Sequence, residues 1–421
     1  MCGIYLTNIP FEEEEVKTKL ESIQFRGPDH TGIKKVSDLT FGHLRLSILD
    51  LDVRSHQPMQ FENLTIVFNG EIYNFSEIKE ELESLGYIFT TTGDTEVLLK
   101  GYKEWGEGVV PKLNGMFAFV IYNSLTRKIF CSRDRLGIKP FYYSWVDGQF
   151  EICSQLRPIS QNKKLNEEAI SMYLDCTYVP SPFTIYKEVH KLSPGNNLEI
   201  DLVTQKHTIK EYWNLKEVRD FGLSYEEAKL QLHELLKDAV KIRLQSDVPF
   251  GSFLSGGIDS ALISSIAAKV SQEPIKTFSI GFEDPKYDES KIAAQYAKII
   301  GSVHTETICK SEHILEMIPK LVAVYDEPFA DSSALPSLLL NKVTKQYVTM
   351  ALSGDGGDES FLGYNHFDWV AKFKILIKIP FWVRATASKL LVFNILKSKT
   401  QPIKRIFNTK SKDDFIAGIF V

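Results

Sequence analysis

Up to about Trp213 the chain alternates short apolar runs with turn residues. Leu64–Phe68 (LTIVF), Gly115–Asn123 (GMFAFVIYN) and Lys128–Ser132 (KIFCS) have the length and the aromatic and β-branched content of strands. Two helices are predicted among them, SEIKEELESLGY from Ser76 and DTEVLLKGYKEW from Asp94, each with a capping residue at its start. Asp147-Gly148 between FYYSWV and QFEICS marks a hairpin, and a second hairpin is expected between Asn197 and Trp213. This half reads as antiparallel sheet packed with helices.

From Ser224 the periodicity changes. A long amphipathic helix to about Leu244 is followed by strands (FGSFL, KTFSIGF, VHTETI, YVTMAL) alternating with helices (SALISSIAAKV, ESKIAAQYAKIIG, EHILEMIPKLVAVYD). Such alternation predicts a parallel sheet with helices on both faces. The boundary between the two halves falls near Tyr212 to Leu223.

A length of 421 residues exceeds one ordinary core and fits two domains. With 43% hydrophobic residues, 24% charged residues and a net charge of -5, the chain reads as globular and not as a general nucleic-acid binder. The start, MCGIYLTNIPFEEEE, has neither a basic segment nor a long apolar one, so no signal peptide and a cytoplasmic location are expected. Five scattered cysteines without C-x-x-C spacing fit a reducing compartment and no structural zinc. No run approaches the roughly 20 apolar residues of a membrane span. Trp369 to Lys412 carries eleven basic residues and no acidic one, which solvated helix faces explain more simply than an anionic partner.

Two glycine-rich turns carry candidate chemistry in the second half. In FLSGGIDSALISSIAAKV (Phe253–Val270) a strand, a Ser-Gly-Gly turn and a helix follow one another, so backbone N–H groups and a helix N-terminus can cradle a phosphate. The spacing matches neither G-x-x-x-x-G-K-[ST] nor G-x-G-x-x-G. LSGDGGDESFLGY (Leu352–Tyr364) also follows an apolar strand, and loops at the carboxyl ends of parallel strands converge. Of its acids and those of the first turn, Asp259 and Asp358 are the expected Mg2+ ligands beside phosphate oxygens.

At the other end, Met1 precedes the small residue Cys2, so methionine removal would leave a cysteine with a free α-amine. That amine has a reference pKa of about 7.7 to 8, and one residue then supplies both nucleophile and base.

SGGIDS resembles the signature of PP-loop ATP pyrophosphatases. DVPFGSFLSGGIDS with TFSIGF and LSGDGGDE is similar to the synthetase half of glutamine-hydrolysing asparagine synthetases. Four separated motifs, FRGPDHTG, HLRLSILD, NGEIYN and GDTEV, together with Cys2 resemble the class II glutamine amidotransferase domain. The resemblance implies an α+β N-terminal-nucleophile (αββα) domain over residues 2–213. It implies an α/β parallel-sheet PP-loop domain (adenine nucleotide alpha hydrolase-like) over 224–421, truncated at its C-terminus relative to the family, which normally continues into a further helical region.

By the same resemblance Cys2 attacks glutamine, and the Asn69 side chain and Gly70 N–H form the oxyanion hole. Arg45 takes the α-carboxylate and Asp94 the α-ammonium, while Leu46, Ser47, Ile48, Leu49 and Glu71 complete the pocket. ATP contacts Leu254, Ser255, Gly256, Gly257, Asp259, Ser260, Ile280, Ser353 and Gly354, and Asp355 stands where well-understood members carry a catalytic Glu. In DEPFADSSALP (Asp326–Pro336), Asp331 falls where those members use an Arg to recognise aspartate.

The implied activity is ATP-driven amidation of a carboxylate, aspartate to asparagine, with AMP, pyrophosphate and glutamate as products and ammonia channelled between the sites. Amidation of a sugar acid, or a truncated protein retaining only glutaminase or binding activity, are the alternatives. Expected partners are small molecules (glutamine, ATP, and aspartate or another carboxylate), with no nucleic acid and with a homodimer left open.

Overall fold

The computed structural model describes residues 1–160, 163–216, 222–364, 367–368 and 378–391. In the first half the order is β1 (Gly3–Thr7), α1 (Glu13–Glu21), β2 (His30–Val36), β3 (Leu39–Arg45), β4 (Met59–Phe61), β5 (Leu64–Ile72), α2 (Phe75–Ser84), α3 (Asp94–Trp105), β6 (Gly115–Asn123), β7 (Lys128–Arg133), β8 (Tyr142–Val146), β9 (Gln149–Cys153), α4 (Glu167–Cys176), β10 (Val189–Lys191), β11 (Asn196–Asp201) and β12 (Lys206–Glu211). These strands form two six-stranded sheets, β10-β8-β9-β1-β3-β2 and β12-β11-β7-β6-β5-β4.

Side-chain alternation shows why the sheets stack. In β6, Ala118, Val120 and Tyr122 enter the core shared with Ile4, Leu6 and Phe41 of the other sheet. Phe117, Phe119 and Ile121 point the opposite way, onto Leu82 of α2 and Leu98 of α3. Tyr5, between Ile4 and Leu6 in β1, packs with Val16 and Leu20 of α1. Both faces of both sheets are thus covered, an αββα sandwich, and the strands read as nearly continuous apolar runs. The Asp147-Gly148 hairpin is present, with φ of 51° and 79° at the two turn residues.

The second half runs α5 (Tyr225–Arg243), β13 (Phe250–Phe253), α6 (Ile258–Val270), β14 (Lys276–Phe282), α7 (Ser290–Ile300), β15 (Val303–Cys309), α8 (Ser311–Val324), α9 (Ala334–Thr344), β16 (Met350–Leu352), α10 (Gly357–Phe361) and α11 (Phe381–Leu391). A capping box between Ser224 and Glu227 starts α5. Four strands make a parallel sheet in the order β15-β14-β13-β16. Ile280 and Phe282 of β14 pack on α8 and α9, while Ile266 and Ala267 of α6 pack on α5 and Phe250. The β13 and β16 strands are neighbours, so the turns that follow them lie side by side.

Several expectations change in detail. Two helices beyond the predicted pair, α1 and α4, interrupt the first half. The apolar stripe of α1 is only Val16 and Leu20 within a charged run. Within HLRLSILD, β3 ends at Arg45 and residues 46–49 form a loop. YVTMAL shortens to Met350–Leu352, and α6 begins at Ile258, two residues before the expected Ser260. Most of the basic Trp369–Lys412 stretch lies outside the described residues, and no described helix is long and apolar enough to cross a membrane.

Two sets of contacts join the halves. Gln155 Nε2 donates to Val324 O at 3.0 Å, Arg157 N–H to Asp326 Oδ2 at 3.1 Å, and Ile185 N–H to Glu327 Oε1 at 2.9 Å. Lys191 pairs with Glu327 at 2.6 Å. Burial raises both carboxyl groups above the usual range. The second set involves Asp247 and Arg243.

Candidate active site

Cys2 immediately precedes β1, whose register pairs Gly3 with Leu44 and so sets Cys2 beside the end of β3. Its Sγ accepts the Leu46 N–H at 3.4 Å, and its carbonyl accepts Arg26 Nε at 3.0 Å. Gly27 lets the Arg-Gly-Pro-Asp turn press on β3: a Cβ there would lie 2.3 Å from the Leu44 carbonyl. Asp29 then accepts the Ser47 N–H at 2.7 Å and shapes the loop after Arg45.

Arg45 is 4% exposed, and its guanidinium donates to the carbonyls of Asp52 at 2.9 Å, Leu49 at 3.3 Å and Asp50. It therefore gathers the 46–52 loop. Asp50, with φ +46°, accepts the Thr92 N–H at 2.7 Å and Arg54 Nε at 3.0 Å. Burial alone would raise its carboxyl, but these bonds overcome that and hold it down at about 2.

Asn69 lies on β5, completely buried, and neither atom of its side-chain amide has a hydrogen-bond partner. β4 pairs with β5 only from Leu64 to Ile66, so the rest of that edge is open. Along it Phe68 N–H donates to Gln57 Oε1 at 2.6 Å and Ile72 N–H to Asp94 Oδ2 at 2.9 Å. Strand periodicity sends the intervening Gly70 N–H the same way. A Cβ on Gly70 would meet Met116 O at 2.3 Å, so no larger residue fits.

Titratable groups crowd this corner. Burial raises the Cys2 thiol and pushes the α-amine of Met1 down to about 5. Burial lifts Asp94 to about 6 and raises Glu71, with the Asp94 charge adding to the effect on Glu71. Lys139, 3% exposed and donating to Met1 Sδ at 3.0 Å, is lowered to about 8 by burial. His43 Nε2 lies 3.1 Å from Phe68 O, which makes it the donor, and burial drops its pKa to about 3.

In the second half the two turns meet. A Cβ on Gly354 would lie 2.8 Å from Ser260 N, and one on Gly357 2.4 Å from Asp259 Cγ. The Ser255 and Ser260 hydroxyls are 2.9 Å apart, and Ser255 Oγ accepts the Gly257 N–H at 3.1 Å. The Gly256 N–H is taken by Glu289 Oε2 at 3.1 Å, an acid inside the turn expected to cradle phosphate. Leu254 is buried and Ile280 is half-buried under α8 and α9.

Asp355 accepts Ser353 Oγ at 2.9 Å, whereas Asp358 is turned toward Gly363. Asp331 accepts the Ser333 N–H at 2.7 Å just before α9. Among the described residues no group of three or more His, Cys, Asp or Glu could hold a metal by itself.

Sequence reasoning did not single out Asp50, Lys139, His43, Glu289, Asp247 or the pair Asp326-Glu327. Asp50 and His43 both stand in HLRLSILD, where a histidine inside an apolar strand was the available signal. Contacts of Glu289, Asp247 and the acid pair span distant segments and leave no local signature.

Comparison with known proteins follows the same division. A family described as glutamine amidotransferase domain matches residues 1–213, and one described as asparagine synthase matches residues 231–412. A Methanocaldococcus jannaschii protein provisionally named asparagine synthetase (glutamine-hydrolysing) 2 is 39% identical, over 93% of this chain and 81% of its own length. Asparagine synthetase (glutamine-hydrolysing) 1 of Bacillus subtilis is also 39% identical, over 90% of this chain and 61% of its own length. The Sandersonia aurantiaca asparagine synthetase (glutamine-hydrolysing) is 31% identical, over 87% of this chain and 68% of its own length. Two six-stranded sheets carrying an N-terminal cysteine, a parallel sheet carrying an SGGIDS turn, and these likenesses agree: the chain belongs to the glutamine-hydrolysing asparagine synthetase family.

Proposed function

We propose that this chain releases ammonia from glutamine at Cys2 and uses ATP to fix it onto a carboxylate, the side chain of aspartate. The observation that carries the first step is the Asn69 amide, wholly buried and unpartnered, on the open edge of the strand that also directs Gly70 N–H outward. A buried amide without a partner costs about 1–3 kcal/mol. An oxyanion forming there would relieve that cost only in the transition state.

In this reading the Cys2 thiol gives its proton to the α-amine exposed by loss of Met1. The thiolate attacks the side-chain amide of glutamine, Asn69 and Gly70 stabilise the oxyanion, and ammonia leaves as a thioester forms. Water then releases glutamate. Asp94 holds the α-ammonium. Arg45 shapes the loop through three carbonyls and offers its remaining donors to the α-carboxylate, with Leu46, Ser47, Ile48, Leu49 and Glu71 as pocket walls.

In the other half the Ser255, Gly256 and Gly257 turn, Ser260 and the Ser353-Gly354 turn hold the ATP phosphates, with Leu254 and Ile280 beside the adenine. The aspartate carboxylate attacks the α-phosphorus and pyrophosphate leaves. Ammonia then displaces AMP from the acyl-adenylate, with Asp355 beside the reacting groups. Asp259, and Asp358 once turned from Gly363, would offer magnesium hard oxygen atoms beside those of the phosphates. Bound there, the ion would neutralise charge on the phosphates.

Glutamate release by wild type and by Cys2→Ala tests the first half; equal rates would refute it. Pyrophosphate release on adding aspartate, ATP and magnesium tests the second, and release with a sugar acid but not with aspartate would reassign the acceptor.

A further inference from the structure

Between α5 and β13 the chain crosses six residues, Leu244–Pro249, before the strand that ends in the Ser-Gly-Gly turn. Within this crossing, Asp247 makes two hydrogen bonds to the other half of the molecule. Its N–H donates to Ile48 O at 3.0 Å, and its Oδ2 accepts the Asp50 N–H at 2.7 Å. One residue therefore pairs with both ends of the Ile48–Asp50 segment, as a strand would, and one of the bonds is charge-assisted.

That segment belongs to the loop whose Leu46 N–H touches Cys2 Sγ and whose Leu49 and Asp50 carbonyls bind Arg45. Asp50 also anchors Thr92, two residues before Asp94. Four residues before Asp247, the Arg243 guanidinium lies 4.6 Å from the centre of the Tyr73 ring, at the end of the Asn69–Asn74 motif. The crossing and the end of α5 thus touch both segments that frame the proposed glutamine pocket.

We infer that Asp247 is a positioning residue through which the ATP-binding half sets the glutamine-binding loop over Cys2. This rests on the proposed glutamine chemistry. The inference differs from general adhesion between halves, because the Gln155, Arg157, Ile185 and Lys191 contacts attach elsewhere and remain when Asp247 is changed. Removing the Asp247 carboxylate frees the Asp50 N–H and loosens the loop without parting the domains.

The test uses the full chain. For Asp247→Ala the KM for glutamine in glutamate release should rise about tenfold with kcat within about twofold. Asp247→Asn, which keeps an oxygen acceptor and the N–H, should stay within about threefold of wild type in both. Amide hydrogen exchange needs no turnover and separates this inference from the activity itself: residues 46–54 should exchange about tenfold faster in Asp247→Ala, with 150–160 unchanged. If the alanine variant does not fold, Asp247→Glu, too long to make both bonds, should show the same changes. A wild-type KM, or unchanged exchange at 46–54, overturns the inference. Failure of Cys2→Ala to lower glutamate release overturns the glutamine reading, while the exchange result still decides the role of Asp247.

Discussion

His43 Nε2 lies 3.1 Å from the carbonyl oxygen of Phe68 and ties the two sheets together one residue before Asn69. With its pKa held near 3 instead of 6.5, the ring stays neutral in the fold, whereas the unfolded chain takes a proton as pH drops below 6.5. Stability from this residue is complete above about 6.5 and drains as pH falls toward 3. His43→Gln should therefore flatten the acid side of the unfolding profile, measured as thermal midpoint from pH 7 to 4. It should also lower kcat for glutamate release about tenfold by displacing Asn69.

Asn69→Ala separates activity from stability. Removing one oxyanion donor should lower kcat about 10²–10³-fold. Deleting a buried, unpartnered amide removes its desolvation cost of about 1–3 kcal/mol, which offsets the small cavity left behind. Chemical denaturation should show stability within about 1 kcal/mol of wild type, while steady-state assays show the loss of rate.

Asp94 should impose an acid limb on kcat/KM for glutamine with its inflection near 6, because only the carboxylate can hold an ammonium. The same shift has the opposite sign for stability: with a folded pKa above 3.8, the native state holds the proton more tightly, and stability falls as pH rises from about 4 to about 6. Asp94→Asn should thus raise the thermal midpoint at pH 7 and abolish tight glutamine binding.

Glu289 accepts the Gly256 N–H, which the proposed ATP site would need for phosphate. Glu289→Gln removes a negative charge from the cradle and should lower the KM for ATP several-fold, read by pyrophosphate release at fixed magnesium. A raised KM would show that the carboxylate helps to organise the turn instead.

The architecture was legible where burial is continuous. KTFSIGF coincides with β14, buried or half-buried along its whole length, and DTEVLLKGYKEW with α3, whose first eight residues are buried. It was less legible where local pattern and tertiary demand diverge. Arg45 ends β3 because its guanidinium collects the carbonyls of its own loop, and the alternation of HLRLSILD contains no trace of that. Candidate residues were visible as motifs because Gly27, Gly70 and Gly354 sit where backbones touch and Gly357 where the Asp259 side chain lies, a requirement written into residue type. Asp247 and Glu289 act across segments far apart in the chain, so only the folded molecule brings their partners into view.

The acid pair Asp326-Glu327 opens the stretch expected to face the acceptor, yet it binds Arg157, Ile185 and Lys191 of the other half. A few residues thus serve docking at one end and lead toward substrate recognition at the other. Grafting the whole stretch from a relative with a different acceptor would disturb the seam as well as the preference. The Ala330 N–H also donates to Thr177 O of the other half at 2.9 Å, so exchanges that start after Ala330 leave the seam intact, and diversification of the acceptor is easiest from that point onward.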